Sequence, residues 1–237
     1  QEFNQIASLA YGQDLTWFFD QCVMKGGAPS YDWAWVVRNV GGKPYLMVTV
    51  EQTQGSKSYG LFKFPVEIRA DSTTHRVTND HWKDEFVVPL NTSPSSVSFD
   101  PDKWILRETT RNVTFRQSLS ASAATVSAAT GGTVNLSIDA GARLANRLYL
   151  IGGSLTGISP GIVLPGTPDP KVLPLVFDNF TQAILASLNV GSFGNFAGLL
   201  DVNGRGAAKL SLPRLGSAAV GVEAYFAWLT VDAPYFT

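Results

Sequence analysis

Histidine and cysteine are nearly missing from this sequence, which has two of the first and one of the second among 237 residues. A single thiol, Cys22, leaves no intrachain disulfide, and its neighbours Phe18, Phe19 and Val23 mark it as a small buried hydrophobe rather than a reactive group. Charge is also scarce: Asp, Glu, Lys and Arg make up 16% of the chain, against roughly 25% in soluble domains. The net charge is −1, with no cluster of Lys or Arg. That gives no electrostatic footprint for nucleic acid or an anionic membrane. No stretch approaches the roughly 18 uninterrupted apolar residues of a membrane-spanning helix. The start lacks both an initiator Met and the charged-then-apolar pattern of a signal peptide, so a chain beginning at Gln1 reads as a processed product or a fragment. The N-x-S/T triplets at Asn91, Asn112, Asn135 and Asn179 are expected by chance in a composition this rich in Ser and Thr.

So few histidines narrow the chemistry. His75 and His81 lie six residues apart in turn-prone sequence, not at the i, i+4 helical spacing of H-E-x-x-H. There is no G-x-S-x-G elbow, and the paired glycines of "TGGTVN" and "IGGSLTG" lack the Lys and the strand-loop-helix context of a phosphate loop. These absences point away from an enzyme and from any bound cofactor.

What remains is the material of β-structure: Gly, Ser, Thr, Val, Leu and Phe. "EFNQIASLA" places Phe3, Ile6, Leu9 and Ala10 at helical spacing before Gly12. A second short helix is expected from Asp14, with Leu15, Phe18, Phe19, Cys22 and Val23 as its apolar face and "KGGAP" as its end. From Tyr31 the period becomes two. "YDWAWVV", "YLMVTVEQTQ", "LFKFPVEIRA", "THRVTND", "DEFVVPLN" and "SSVSFD" read as strands, and Trp104, Ile105 and Leu106 as a closing one. Texture changes between Thr109 and Arg116, beyond which Trp and charge thin out. Further on, strands are expected around the "TGG" turn, in "RLYLIGGSLTG", on both sides of an Asp-Val-Asn-Gly-Arg hairpin turn, and in "GVEAYFAWLTVD". "LVFDNFTQAILASLNVG" is assigned a strand and a helical turn, "ISPGIVLPGTPDPKVLP" a connection, and "APYFT" a tail. The fold class is therefore mainly β: a helical segment over 1–28, a β-sandwich over 29–110 and a second over 111–237, both immunoglobulin-like.

The ordered motifs F-x-x-I-A-x-x-A-x-G-x-D-L-x-W-F-F-D-Q (residues 3–21), "VTVEQTQ", "FKFPVEIR" and "VSFDPDKWILRE" resemble the region that follows the catalytic domain in aminopeptidase N-like gluzincin metallopeptidases. The resemblance covers roughly residues 1–108, with Cys22 standing where that family commonly has Trp. It implies a non-catalytic C-terminal piece whose zinc site lies upstream. The second half resembles a C-terminal β-sandwich of secreted planctomycete and myxobacterial proteins, through "RLYLIGGSLTGISPGIVLPG", "VFDNFTQAILASLN" and "GVEAYFAWLTVDAPYFT". Such domains commonly continue into one more strand. Together the resemblances imply a secreted or cell-surface structural module. Leu15, Trp17, Phe18 and Phe19 would form its docking face, and its partner would be the parent's catalytic domain or copies of itself. A self-assembling surface fibre subunit using strand complementation and a carbohydrate-binding module using Trp33, Trp35, Trp82 and Trp104 are the alternatives. Of possible metal ligands, Asp80, His81, Asp84 and Glu85 form the densest cluster, though their alternation with Trp82 and Phe86 reads as an exposed hairpin. Asp201 and Asn203 lack the further acids of a calcium loop.

Overall fold

Alternation from Ser30 onward is realised as antiparallel sheet in the computed structural model, which describes residues 2–55, 60–164, 171–232 and 235–236. The chain divides into two units, Gln1–Phe115 and Arg116–Thr237. It is mainly β, with several sheets and a short N-terminal helical pair.

In the first unit, α1 (Glu2–Tyr11) and α2 (Thr16–Phe19) precede β1 (Ser30–Val40), β2 (Lys43–Gln52), β3 (Phe64–Ala70), β4 (Thr73–Asn79), β5 (Lys83–Pro89), β6 (Val97–Phe99) and β7 (Thr109–Asn112). The strand orders are β5-β2-β1-β7, with β7 parallel to β1, and β4-β3-β6. A two-residue loop joins β1 to β2. Gly41 and Gly42 there take φ of 56° and 77°, the positive pair that a tight hairpin needs to match strand twist. Both sheets feed one buried cluster: Tyr31, Trp33, Val48 and Val50 from one, Val66, Ile68 and Phe99 from the other.

Two expectations change here. The second helix does not run on as one α-helix; after Phe19 it widens into a π-turn over Asp20–Met24, closed by Lys25 N–H donating to Asp20 O. Trp104–Leu106 is not a strand. The buried Asp100 carboxylate accepts from Trp104 N at 2.8 Å and pairs with the Arg107 guanidinium, folding the segment into a turn, and the last strand is β7 instead. Only Ile105 of the three is buried, and Trp104 is 77% exposed.

The second unit contains β8 (Leu119–Ala121), β9 (Gly132–Asp139), β10 (Leu148–Ser154), β11 (Ile162–Val163), β12 (Val172–Leu173), α3 (Asn179–Ala186), β13 (Phe193–Gly194), β14 (Ala197–Leu199), β15 (Arg205–Leu212), β16 (Tyr225–Asp232) and β17 (Tyr235–Phe236). Its sheets are β14-β10-β16-β17, β13-β15-β9-β8 and the pair β11-β12. A cluster including Leu136, Ile138, Tyr149, Ile151, Ile184 and Leu210 lies buried among them. Asp178 starts α3 through a capping box with Thr181, satisfying orphan N–H groups of its first turn.

The Asp-Val-Asn-Gly-Arg turn is not a hairpin between paired strands. It hands the chain from β14, which pairs with β10, to β15, which pairs with β9. Asp201 Oδ1 accepts from Asn203 N at 2.8 Å and Arg205 N at 2.9 Å, so the carboxylate itself organises the turn. The expected tail carries β17, antiparallel to β16. Residues 233, 234 and 237 of that tail, and 165–170 of the Pro/Gly-rich connection, lie outside the described residues.

Helix α3 packs closely on β10. A Cβ built on Gly153 would lie 2.8 Å from Ile184 Cδ1 and 2.9 Å from a Phe226 ring carbon. At Gly194 it would meet only Lys209 atoms at 3.7 Å, an ordinary contact. Gly153→Ala is therefore expected to lower unfolding free energy by about 1–3 kcal/mol through overpacking, read from urea midpoints, whereas Gly194→Ala should change it little.

Candidate functional site

The inward face of β2 runs Leu46, Val48, Val50 and then, at the same parity, Gln52 and Gln54. These amides are 0% and 4% exposed. Buried amides are tolerated only when hydrogen-bonded, and the neighbouring segment 60–63, which joins no sheet, supplies the partners. Gln52 Nε2 donates to Phe62 O and to Asn79 Oδ1, each at 2.6 Å, while its Oε1 accepts from Phe62 N at 3.0 Å. Gln54 Nε2 donates to Gln52 Oε1 at 2.8 Å and to Gly60 O at 3.1 Å, and Gln54 Oε1 accepts from Ser30 N at 3.2 Å.

The helical segment grips the same strip of backbone. Gln21 Oε1 accepts from Lys63 N and Gln21 Nε2 donates to Lys63 O, as a strand partner would. Lys25 Nζ donates to Leu61 O at 2.9 Å and lies 4.6 Å from the centre of the Phe62 ring. The widened π-turn puts Gln21, Cys22 and Lys25 on the β side, and Cys22 is the helical residue packed against the buried cluster.

At its other end the network reaches the β4–β5 turn. Asn79 Nδ2 donates to Asp84 Oδ2 at 2.7 Å and to His81 O at 2.9 Å; Asp84 Oδ2 also accepts from Asp80 N at 3.1 Å and His81 N at 3.2 Å. His81 Nδ1 then sits 2.8 Å from Asp80 Oδ1 and 3.2 Å from Asp84 Oδ1, with Lys63 Nζ 3.9 Å from Asp80 Oδ2. Burial pulls the His81 pKa down, but hydrogen bonds and charge from the two carboxylates outweigh it and raise the value to about 9. At neutral pH this imidazole is a held cation, poorly suited to act as a general base.

Three of the four candidate ligands thus converge: ligand atoms of Asp80, His81 and Asp84 lie within 4.8 Å of one another. Glu85 does not join them. The period of two turns it to the opposite face of β5, where it is exposed and pairs with Lys83 at 3.7 Å. His75 stands elsewhere on β4 opposite Ile68, its pKa lowered by burial.

The expected docking residues stay partly in solvent. Leu15 and Phe19 are half-buried, and Trp17 and Phe18 are 42% and 40% exposed. Their rings stack edge-on with one another and with Phe3 of α1, at centroid distances of 5.6–6.0 Å. The four tryptophans form no common platform, since Trp33 is buried, Trp35 and Trp82 are half-buried and Trp104 is exposed. Sequence reasoning passed over Gln21, Lys25, Gln52, Gln54 and Asn79. For Gln52, Gln54 and Asn79 the usable signal was parity, amides falling at inward positions in step with a strand. No protein-family model, curated protein or solved structure matches the chain.

The folded-state pKa of His81 lies above the unfolded reference of about 6.5, so its contribution is complete below pH 6.5 and lost as pH rises through about 9. In chelator-containing buffer, denaturant midpoints of the native chain should fall between pH 6.5 and 9. His81→Gln should flatten that part of the profile, and an unchanged slope would contradict the ion-paired imidazole.

Proposed function

We propose that this chain is the non-catalytic C-terminal part of a secreted aminopeptidase N-like metallopeptidase, a structural and binding module of two immunoglobulin-like β-sandwiches behind a helical pair. The observation that carries the reading is the apolar face of α1. Phe3, Ile6 and Leu9 are 71%, 64% and 83% exposed, and the helix has no buried residue. A ten-residue helix is marginal in water without a surface to pack on. The face fits a partner surface, and in the parent that surface belongs to the catalytic domain. The buried cluster fed by two sheets supports the sandwich reading of the first unit. The absence of H-E-x-x-H in this sequence fits a module that braces catalysis performed elsewhere.

Hydrogen exchange on the parent protein and on the isolated chain tests this. Amides of α1 should be at least about tenfold better protected in the parent, and the coding sequence upstream of Gln1 should contain H-E-x-x-H. Equal protection, or an upstream region without that motif, would overturn the reading. Concentration-dependent protection of α1 in the isolated chain would point instead to copies of itself as the partner.

A further inference from the structure

The β4–β5 turn is built like the inner and outer shells of a metal centre. Asp84 Oδ2 is occupied from behind by Asn79 Nδ2 and two backbone N–H groups, and Asp80 Oδ2 has the Lys63 ammonium nearby at 3.9 Å. The other oxygen of each, Oδ1, lies near the same ring nitrogen, His81 Nδ1, at 2.8 Å from Asp80 and 3.2 Å from Asp84. The two separations from His81 suit donors around one small cation at about 2.0–2.2 Å from each, and the three ligand atoms, within 4.8 Å of one another, need only a small closing movement to share it. Asp84 is buried and Asp80 and His81 are half-buried, so the donors are anchored while an edge stays open to solvent. Outer partners that fix carboxylate orientation are characteristic of real centres.

We propose that Asp80 Oδ1, His81 Nδ1 and Asp84 Oδ1 form a binding site for a divalent transition cation of the zinc class, which locks the β4–β5 turn onto the buried amide network. One imidazole nitrogen with two carboxylate oxygens suits a borderline ion; calcium and magnesium prefer larger all-oxygen shells. Without the ion, both carboxylates face the His81 ring nitrogen, and Asp80 also faces the ammonium of Lys63. The ion takes the space between the three donors, and the remaining coordination position is left to water. The ion's role in this site is to hold the turn.

The chain offers an internal control, because it has only two histidines. Titration with zinc chloride, followed by imidazole ring NMR, should shift His81 resonances saturably at one ion per chain while His75 stays unmoved. The thermal midpoint should rise with free zinc. Calcium and magnesium chloride at the same concentration should do neither. His81→Ala should weaken zinc binding by about 100-fold or more, and Glu85→Gln should leave it unchanged. No His81 shift at millimolar zinc, or equal shifts of both histidines, would overturn the proposal. The NMR arm needs only the native chain, so a poorly folding variant does not rescue it.

Discussion

In the first unit, the end of the helical segment, the 60–63 strip and the β4–β5 turn hang on one buried line of side-chain amides. Residues 60–63 cross the edge of the core without a ladder partner, which would strand their N–H and C=O groups at a cost of about 1–3 kcal/mol each. Gln52 and Gln21 act as substitute strands, each accepting from an N–H and donating to a C=O of that one strip, and Gln54 donates to Gly60 O. Asn79 carries the line onward to Asp84, and Asp84 orders the turn that holds His81. Because each amide is both donor and acceptor, removing one unmakes bonds on both of its sides. Helix attachment, the 60–63 crossing and the acidic turn are thereby parts of one construction.

The second unit solves the same problem differently. Within its buried cluster the ring hydroxyl of Tyr149 donates to Asn195 O at 3.0 Å and to Ala207 O at 3.2 Å. Several of its polar contacts gather on single carboxylates. Asp178 accepts from Thr181 N and also from Leu155 N, Thr156 N, Thr156 Oγ1 and Ser154 Oγ. Those bonds hold its carboxyl well below the usual carboxylate range, although burial works the other way. Asp201 does a smaller version of this in the turn between β14 and β15.

Strands whose period of two buries one face were readable directly: Tyr31 and Trp33 on β1, or Val66 and Ile68 on β3, are core because alternation makes them so. Legibility failed where a side chain competes with the ladder for backbone groups. Alternation around Ile105 looks like a strand, yet Asp100 captures Trp104 N and ends the pairing. Asn203-Gly204 has the composition of a hairpin, yet sheet membership is decided by the strands that β14 and β15 meet from earlier in the chain, β10 and β9. The acidic cluster was legible as composition, and only the pleat of β5 separates Asp84 from Glu85. The amide line was invisible to any search for catalytic residue types, since glutamine and asparagine carry no such signature. Its trace was their inward parity.

The coupling of these parts is tested most directly by native-state hydrogen exchange at amides whose bonds end on side chains rather than on a ladder: Ser30, Phe62, Lys63, Asp80 and His81. If the buried amides form one construction, these five open with a single shared free energy, and Gln52→Leu lowers it for all of them together. If Phe62 and Lys63 lose protection in that variant while Asp80 and His81 keep theirs, the turn stands independently of the network, which contradicts a single construction.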